Sequence, residues 1–177
     1  PTTVSAHLSE LTQRLVRPSR PVPEPVLYDL KAMIINDQSW RLPVYKEIHA
    51  LGCDTLSLEA CMKGLLTLGQ AMTLGLNLPV SKPGEPLWQT ALRHEKEFHE
   101  RPGYIIIPNV GVVVASELTP QTEALLSGFA RMTLRLQTTT DLLTFTVDDI
   151  KPYLEWQKNR WLEENNSSEF SGVSTKV

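Results

Sequence analysis

The chain has 177 residues, 41% of them hydrophobic and 21% charged, with a formal net charge of -3. That length supports one domain with a real core, and the faint acidic balance supplies no global basic field to hold a polyanion. Two cysteines, Cys53 and Cys61, exclude a disulfide framework and predict a reducing, cytoplasmic setting. No apolar run approaches the roughly 20 residues that a membrane span needs, and the first residues are polar where a signal peptide would be apolar.

At the N-terminus Val4, Leu8, Leu11 and Leu15 recur at helical spacing behind Thr2, Thr3 and Ser5, which are suitable caps. Residues 1–17 are therefore expected to form a helical arm able to pack on another subunit. Residues 18–25 hold Pro18, Pro21, Pro23 and Pro25, so this stretch is predicted to be an extended polyproline-type linker. Pro18 and Pro21 match a PxxP docking pattern, but the pattern is common and a plain connector is the expected role.

Residues 26–164 read as a single mainly helical domain. Pro25 opens a helix with Leu27, Leu30, Met33 and Ile34 on one side. Val44, Tyr45, Ile48 and Leu51 predict a short helix stopped by Gly52 as its C′ residue. Ser57 can cap a long helix in which Leu58, Cys61, Met62, Leu65, Leu68, Met72 and Leu76 keep register. Gly64, Gly69 and Gly75 each weaken such a helix by up to about 1 kcal/mol relative to Ala, which implies close packing against another backbone. Residues 77–85 form a loop. Pro86 opens a helix expected to turn Trp88, Ala91, Leu92 and Phe98 inward and a charged face, Arg93 to Arg101, outward.

The strongest β signal lies next. Ile105, Ile106 and Ile107, then Val112, Val113 and Val114, are β-branched and flank Pro108, Asn109, Val110 and Gly111, which suit a turn. Neither strand alternates apolar with polar, so both faces of the hairpin need cover. Thr119 and Pro120 predict a helix start, with Leu125, Leu126, Phe129, Met132 and Leu136 as its buried stripe. Leu142 to Thr146 is the candidate for a third short strand, or else an extended connector. Thr146 to Asp149 resembles a capping box that opens a last helix carrying Ile150, Tyr153, Leu154, Trp156 and Trp161. Residues 165–177 are polar and small and read as a disordered tail. The expected architecture is α+β and mainly α-helical, with about six helices around one central β-hairpin, extended to a small three-stranded sheet if the third strand forms.

Several chemistries can be weighed directly. His94 and His99 are five residues apart, which places them about 140° apart on a helix, whereas a zincin-type pair needs a spacing of four. A solvated charged face is the expected role of this stretch. Cys53 and Cys61 lack zinc-site spacing, and Cys61 falls on an apolar stripe. Neither a phosphate loop nor a nucleophile elbow is present, so no catalytic, cofactor-binding or metal-ligating residue is assigned. Residues 44–63 carry the spacing of a helix-turn-helix, but they offer a nucleic acid only Lys46 and Lys63. Tyr104 to Leu154, with Asn109 and Gly111 between two apolar strands, resembles the end of a class II aldolase. That family places a metal-binding histidine where this chain has Val110, so its activity is not carried over.

The expected function is that of a non-enzymatic interaction protein, structural, adaptor or regulatory, that self-associates and binds other proteins. Its candidate interface residues are Val4, Leu8, Leu11, Leu15, Ile105, Ile107, Trp156 and Trp161. The alternative is a nucleic-acid-binding regulator using residues 44–63, and the third reading is an enzyme whose site assembles from distant residues.

Overall fold

The computed structural model describes residues 18–35, 37–146, 148–153, 155, 156, 159 and 160. The fold is α+β and mainly helical. Among the described residues it contains α1 (Leu27–Ile34), β1 (Trp40–Arg41), a 3-10 turn (Lys46–His49), α2 (Ala50–Cys53), α3 (Thr55–Lys63), α4 (Leu68–Leu74), α5 (Leu87–Phe98), β2 (Tyr104–Ile107), β3 (Gly111–Ala115) and α6 (Pro120–Thr133). Residues 148–153 are again helical. The arm at Val4, Leu8, Leu11 and Leu15, the tail at 165–177 and Trp161 lie outside the described residues.

The hairpin forms as expected. Tyr104 pairs with Val114, Ile105 with Val113, Ile106 with Val112 and Ile107 with Gly111. The three-residue loop places Asn109 in the left-handed region at φ 61° and Gly111 at φ 148°, which suits these two residue types. Every residue of both strands is buried. One face, through Tyr104, Ile106, Val112 and Val114, packs on Ile48, Leu51, Cys61, Leu126 and Phe129. The opposite face, through Ile105, Ile107, Val113 and Ala115, is covered by Leu30 of α1, Trp40 of β1 and Leu87 of α5. A thin sheet is thus buried between two helical layers, and its β-branched strands satisfy both.

The third strand is not Leu142–Thr146. It is Trp40–Arg41, which pairs antiparallel with β3 and gives the order β1-β3-β2. Phe145 instead makes an isolated bridge to Leu65. Two residues are too short a run to show periodicity, so the partner of β3 could not be read from its own pattern.

The long helix expected from Ser57 to Leu76 is two helices. Gly64, at φ 123°, caps α3, and Gly75, at φ 81°, caps α4. Asp54, not Ser57, caps α3, accepting a hydrogen bond from the Ser57 amide at 2.9 Å. Gly52 does not end a helix; it lies inside α2, pressed against the hairpin turn. Thr119 and Pro120 do open α6, with the Thr119 hydroxyl accepting from the Thr122 amide at 3.2 Å.

The proline strap is fastened to the body. The Arg20 amide donates to the Leu134 carbonyl at 2.9 Å. The Arg20 guanidinium donates to both Asp54 carboxylate oxygens and to the Leu136 and Thr133 carbonyls. At the other end the Val26 amide donates to Val110 at 2.9 Å.

Candidate functional site

Helix α5 is rotated about one residue from its expected setting. Leu87, Thr90 and His94 face inward, whereas Trp88 is 61% and Leu92 41% exposed. The charged stretch Arg93–Arg101 is therefore not a uniform solvated face. His94 is buried, with Nε2 at 2.8 Å from the Asn77 carbonyl and Nδ1 at 3.0 Å from the Glu100 carbonyl. A neutral ring donates to one of these carbonyls and a doubly protonated ring to both, so the buried N–H has an acceptor in either tautomer. A histidine counted as polar moved the apparent stripe by one position.

Arg93 is structural as well. Its Nε and Nη2 donate to the two Glu85 oxygens at 3.0 and 2.9 Å, and Nη2 also reaches the Val80 carbonyl at 2.9 Å. Glu85 further accepts from the Thr90 hydroxyl and the Lys82 amide, each at 2.9 Å. These donors, Arg93 foremost, hold the Glu85 carboxyl down at about 2. The 80–85 turn is thereby locked to α5. Its upstream end is locked to the sheet, because the Ile106 amide donates to Pro79 at 2.8 Å and the Ser81 amide to Ile106 at 2.9 Å.

Between α5, this loop and the end of α3 lies a cleft of about 590 Å³. Leu76, Leu78, Val80, Phe98 and Phe145 line it with apolar surface, and Lys63, Lys82 and Glu97 carry charge at its edge. Such a volume falls in the range of about 300–1,000 Å³ typical of binding pockets. A second, shallower groove of about 460 Å³ runs along α5 itself, lined by Trp88, Leu92, Arg93 and Lys96.

The other acidic groups serve the architecture. Burial raises the Glu123 carboxyl, but Arg41 at 2.7 Å and the Val44 amide at 2.5 Å outweigh it and the net shift is downward. Glu47 is likewise penalised by burial and held low by hydrogen bonds that include Arg131 and Ser127. Asp54 pairs with Arg20 and Ser57, and its shift is also downward against the penalty of burial. Each of these pairs ties two elements together. Among the described residues no group of three or more His, Cys, Asp or Glu side chains is placed to hold a metal ion. The cleft presents apolar surface edged by Lys63, Lys82 and Glu97, while Glu47, Asp54, Glu85 and Glu123 are committed to partners within the fold.

The candidate interface residues are dispersed by the fold. Ile105 and Ile107 are 0% and 6% exposed, covered by α1, β1 and α5 of their own chain. They offer no surface to a partner, which corrects their assignment to an interface; the hairpin finds its second cover within the chain. Trp156 is exposed, at 59%, with the Arg160 guanidinium 5.5 Å from its ring centroid. Exposed apolar residues that the sequence pattern concealed are Tyr28 on α1, Ile35 at its C-terminal cap and Trp88 on α5. A wrong helical phase hid Trp88.

For the nucleic-acid reading, Lys46 is exposed on the 3-10 turn, and the Lys63 amine donates to the Thr139 carbonyl. The first turn of α3, which a recognition helix would insert into a groove, has the acidic Asp54 as its cap and Arg20 of the strap bound on it. No helix among the described residues is long and apolar enough to cross a membrane. No protein-family model matches the chain, and no curated protein is detectably similar to it.

Proposed function

We propose that this chain is a non-enzymatic interaction protein that self-associates and serves a structural, adaptor or regulatory role. One observation carries the reading: four aromatic side chains, Tyr28, Trp88, Tyr153 and Trp156, are 84%, 61%, 49% and 59% exposed on three separate helical stretches. Aromatic residues of this kind are enriched at the centres of protein interfaces, where they bury much area at little entropic cost. The commitment of the buried carboxylates to ion pairs between elements favours a rigid scaffold over proton-transfer chemistry. A reducing, cytoplasmic setting accompanies this reading, supported by the free thiols of Cys53 and Cys61.

The test is mass against concentration by light scattering, for the whole chain and for a form lacking residues 1–17. The intact protein is expected to exceed monomer mass as concentration rises. If the Val4, Leu8, Leu11 and Leu15 arm contributes, its removal lowers that mass. A monomer at every concentration overturns the reading.

A further inference from the structure

We propose that the helical stretch that begins at Asp148 docks, through Tyr153 and Trp156 of one copy, into the cleft between α5 and the 76–83 loop of a second copy. The proposal rests on the self-association reading and adds to it the two surfaces and their polarity.

The helical stretch supplies a ridge. Asp149 accepts from the Thr146 amide and hydroxyl at 2.8 and 2.6 Å and returns its own amide to the Thr146 oxygen at 3.3 Å, so the start is pinned by a reciprocal box. Ile150 is buried, and every later residue whose burial is described is exposed. Tyr153 and Trp156 are three residues apart and share a face. A helical stretch with a single buried anchor draws little support from tertiary packing, so an aromatic face left open is a face awaiting cover.

The cleft supplies the complement. Its floor of Leu76, Leu78, Val80 and Phe98 is apolar and its volume is about 590 Å³. The helix leaves from the cleft's own rim at Thr146, yet Tyr153 and Trp156 remain exposed, so they do not fill the cleft of their own chain. Charge agrees with an incoming copy. Lys63 and Lys82 edge the cleft, and the helix carries exposed Asp148 and Glu155; Glu97 on the rim can meet Lys151. Ridge and cleft are different surfaces, so the contact is heterologous. Copies then add head to tail, closing into a ring or extending as a filament.

Two variants test this. One carries Tyr153→Ser and Trp156→Ser, the other Met62→Glu and Lys82→Glu; all four positions are exposed, and circular dichroism checks that both variants fold. Each alone is expected to associate at least tenfold more weakly than the parent by light scattering. An equimolar mixture is expected to form a discrete dimer, because one intact ridge meets one intact cleft. As a measurement independent of disassembly, a benzophenone-bearing phenylalanine at position 156 should cross-link to residues 62–64 or 76–83 of another chain. If the ridge variant assembles like the parent, the proposal falls while self-association stands. If neither variant assembles but their mixture also stays monomeric, or the cross-link maps elsewhere, the cleft is not the docking site. A parent that is monomeric throughout removes both readings.

Discussion

Gly52 lies against Gly111: a Cβ built on Gly52 would sit 2.4 Å from the Gly111 carbonyl oxygen and 2.7 Å from that of Ile107. The Asn109 amide also donates to the Gly52 carbonyl at 2.8 Å. Helix α2 and the hairpin turn therefore meet backbone to backbone. Gly52→Ala must displace main chain rather than a flexible side chain, and it is expected to cost on the order of 3 kcal/mol, read as a lower urea midpoint. Gly128 in α6 is the control, since nothing lies within 4 Å of its added Cβ. Gly128→Ala is expected to stabilise by about 1 kcal/mol through helix propensity.

Both faces of the hairpin are closed, so aspartate should be equally intolerable on each. Ile105→Asp and Ile107→Asp place a carboxylate among Leu30, Trp40 and Leu87, and Ile106→Asp places one among the larger cluster. Each is expected to cost several kcal/mol, comparable with the roughly 5–15 kcal/mol that holds a domain together. All three variants should lose the cooperative thermal transition seen by circular dichroism. If Ile105→Asp melts like the parent, the α1–α5 layer does not cover that face.

His49 makes stability depend on pH. It is buried, and its Nδ1 accepts the Val112 amide at 3.2 Å. Burial lowers its pKa below the ordinary 6.5, opposed by the carboxylate of Glu24 on the strap. The unfolded chain takes up a proton that the fold refuses. The contribution of neutral His49 is thus fully present above about pH 6.5 and is lost as pH falls from there through the lower folded value. Carboxylates whose pKa values are depressed, Glu47, Asp54, Glu85 and Glu123, lose theirs at lower pH still. The urea midpoint should therefore fall as pH drops below about 6.5, and His49→Asn should flatten that part of the curve.

Arg20 and Asp54 clamp the strap. Arg20→Ala leaves the Thr133 and Leu136 carbonyls without this donor and removes the partner of a half-buried acid. Asp54→Ala additionally removes the cap of α3, worth about 1 kcal/mol in similar sites. Asp54→Ala is expected to be the more destabilising, and Arg20→Ala should speed proteolytic cleavage within 18–25. A cleavage rate equal to the parent's would show that the backbone amides of residues 20 and 26 hold the strap without the guanidinium.

Features governed by short-range rules were legible in the chain itself. Runs of isoleucine and valine around Asn109 and Gly111 determined the hairpin, because β-branching and positive φ are properties of single residues. Thr119 before Pro120 and Thr146 before Asp149 marked helix starts for the same reason. The need to cover both hairpin faces followed from the absence of alternation. What covers them was decided only by the tertiary structure. Trp40–Arg41 is a strand because β3 presents a free edge to it, and Gly52 is glycine because a distant turn arrives there. Helix α5 buries His94 and exposes Trp88 because two carbonyls, at Asn77 and Glu100, wait for the imidazole. Nothing within α5 encodes those carbonyls. The cleft has the same origin: its walls come from α3, α5, the 76–83 loop and Phe145, far apart in sequence, and hydrogen bonds from Arg93 and Ile106 across those gaps hold the loop in place.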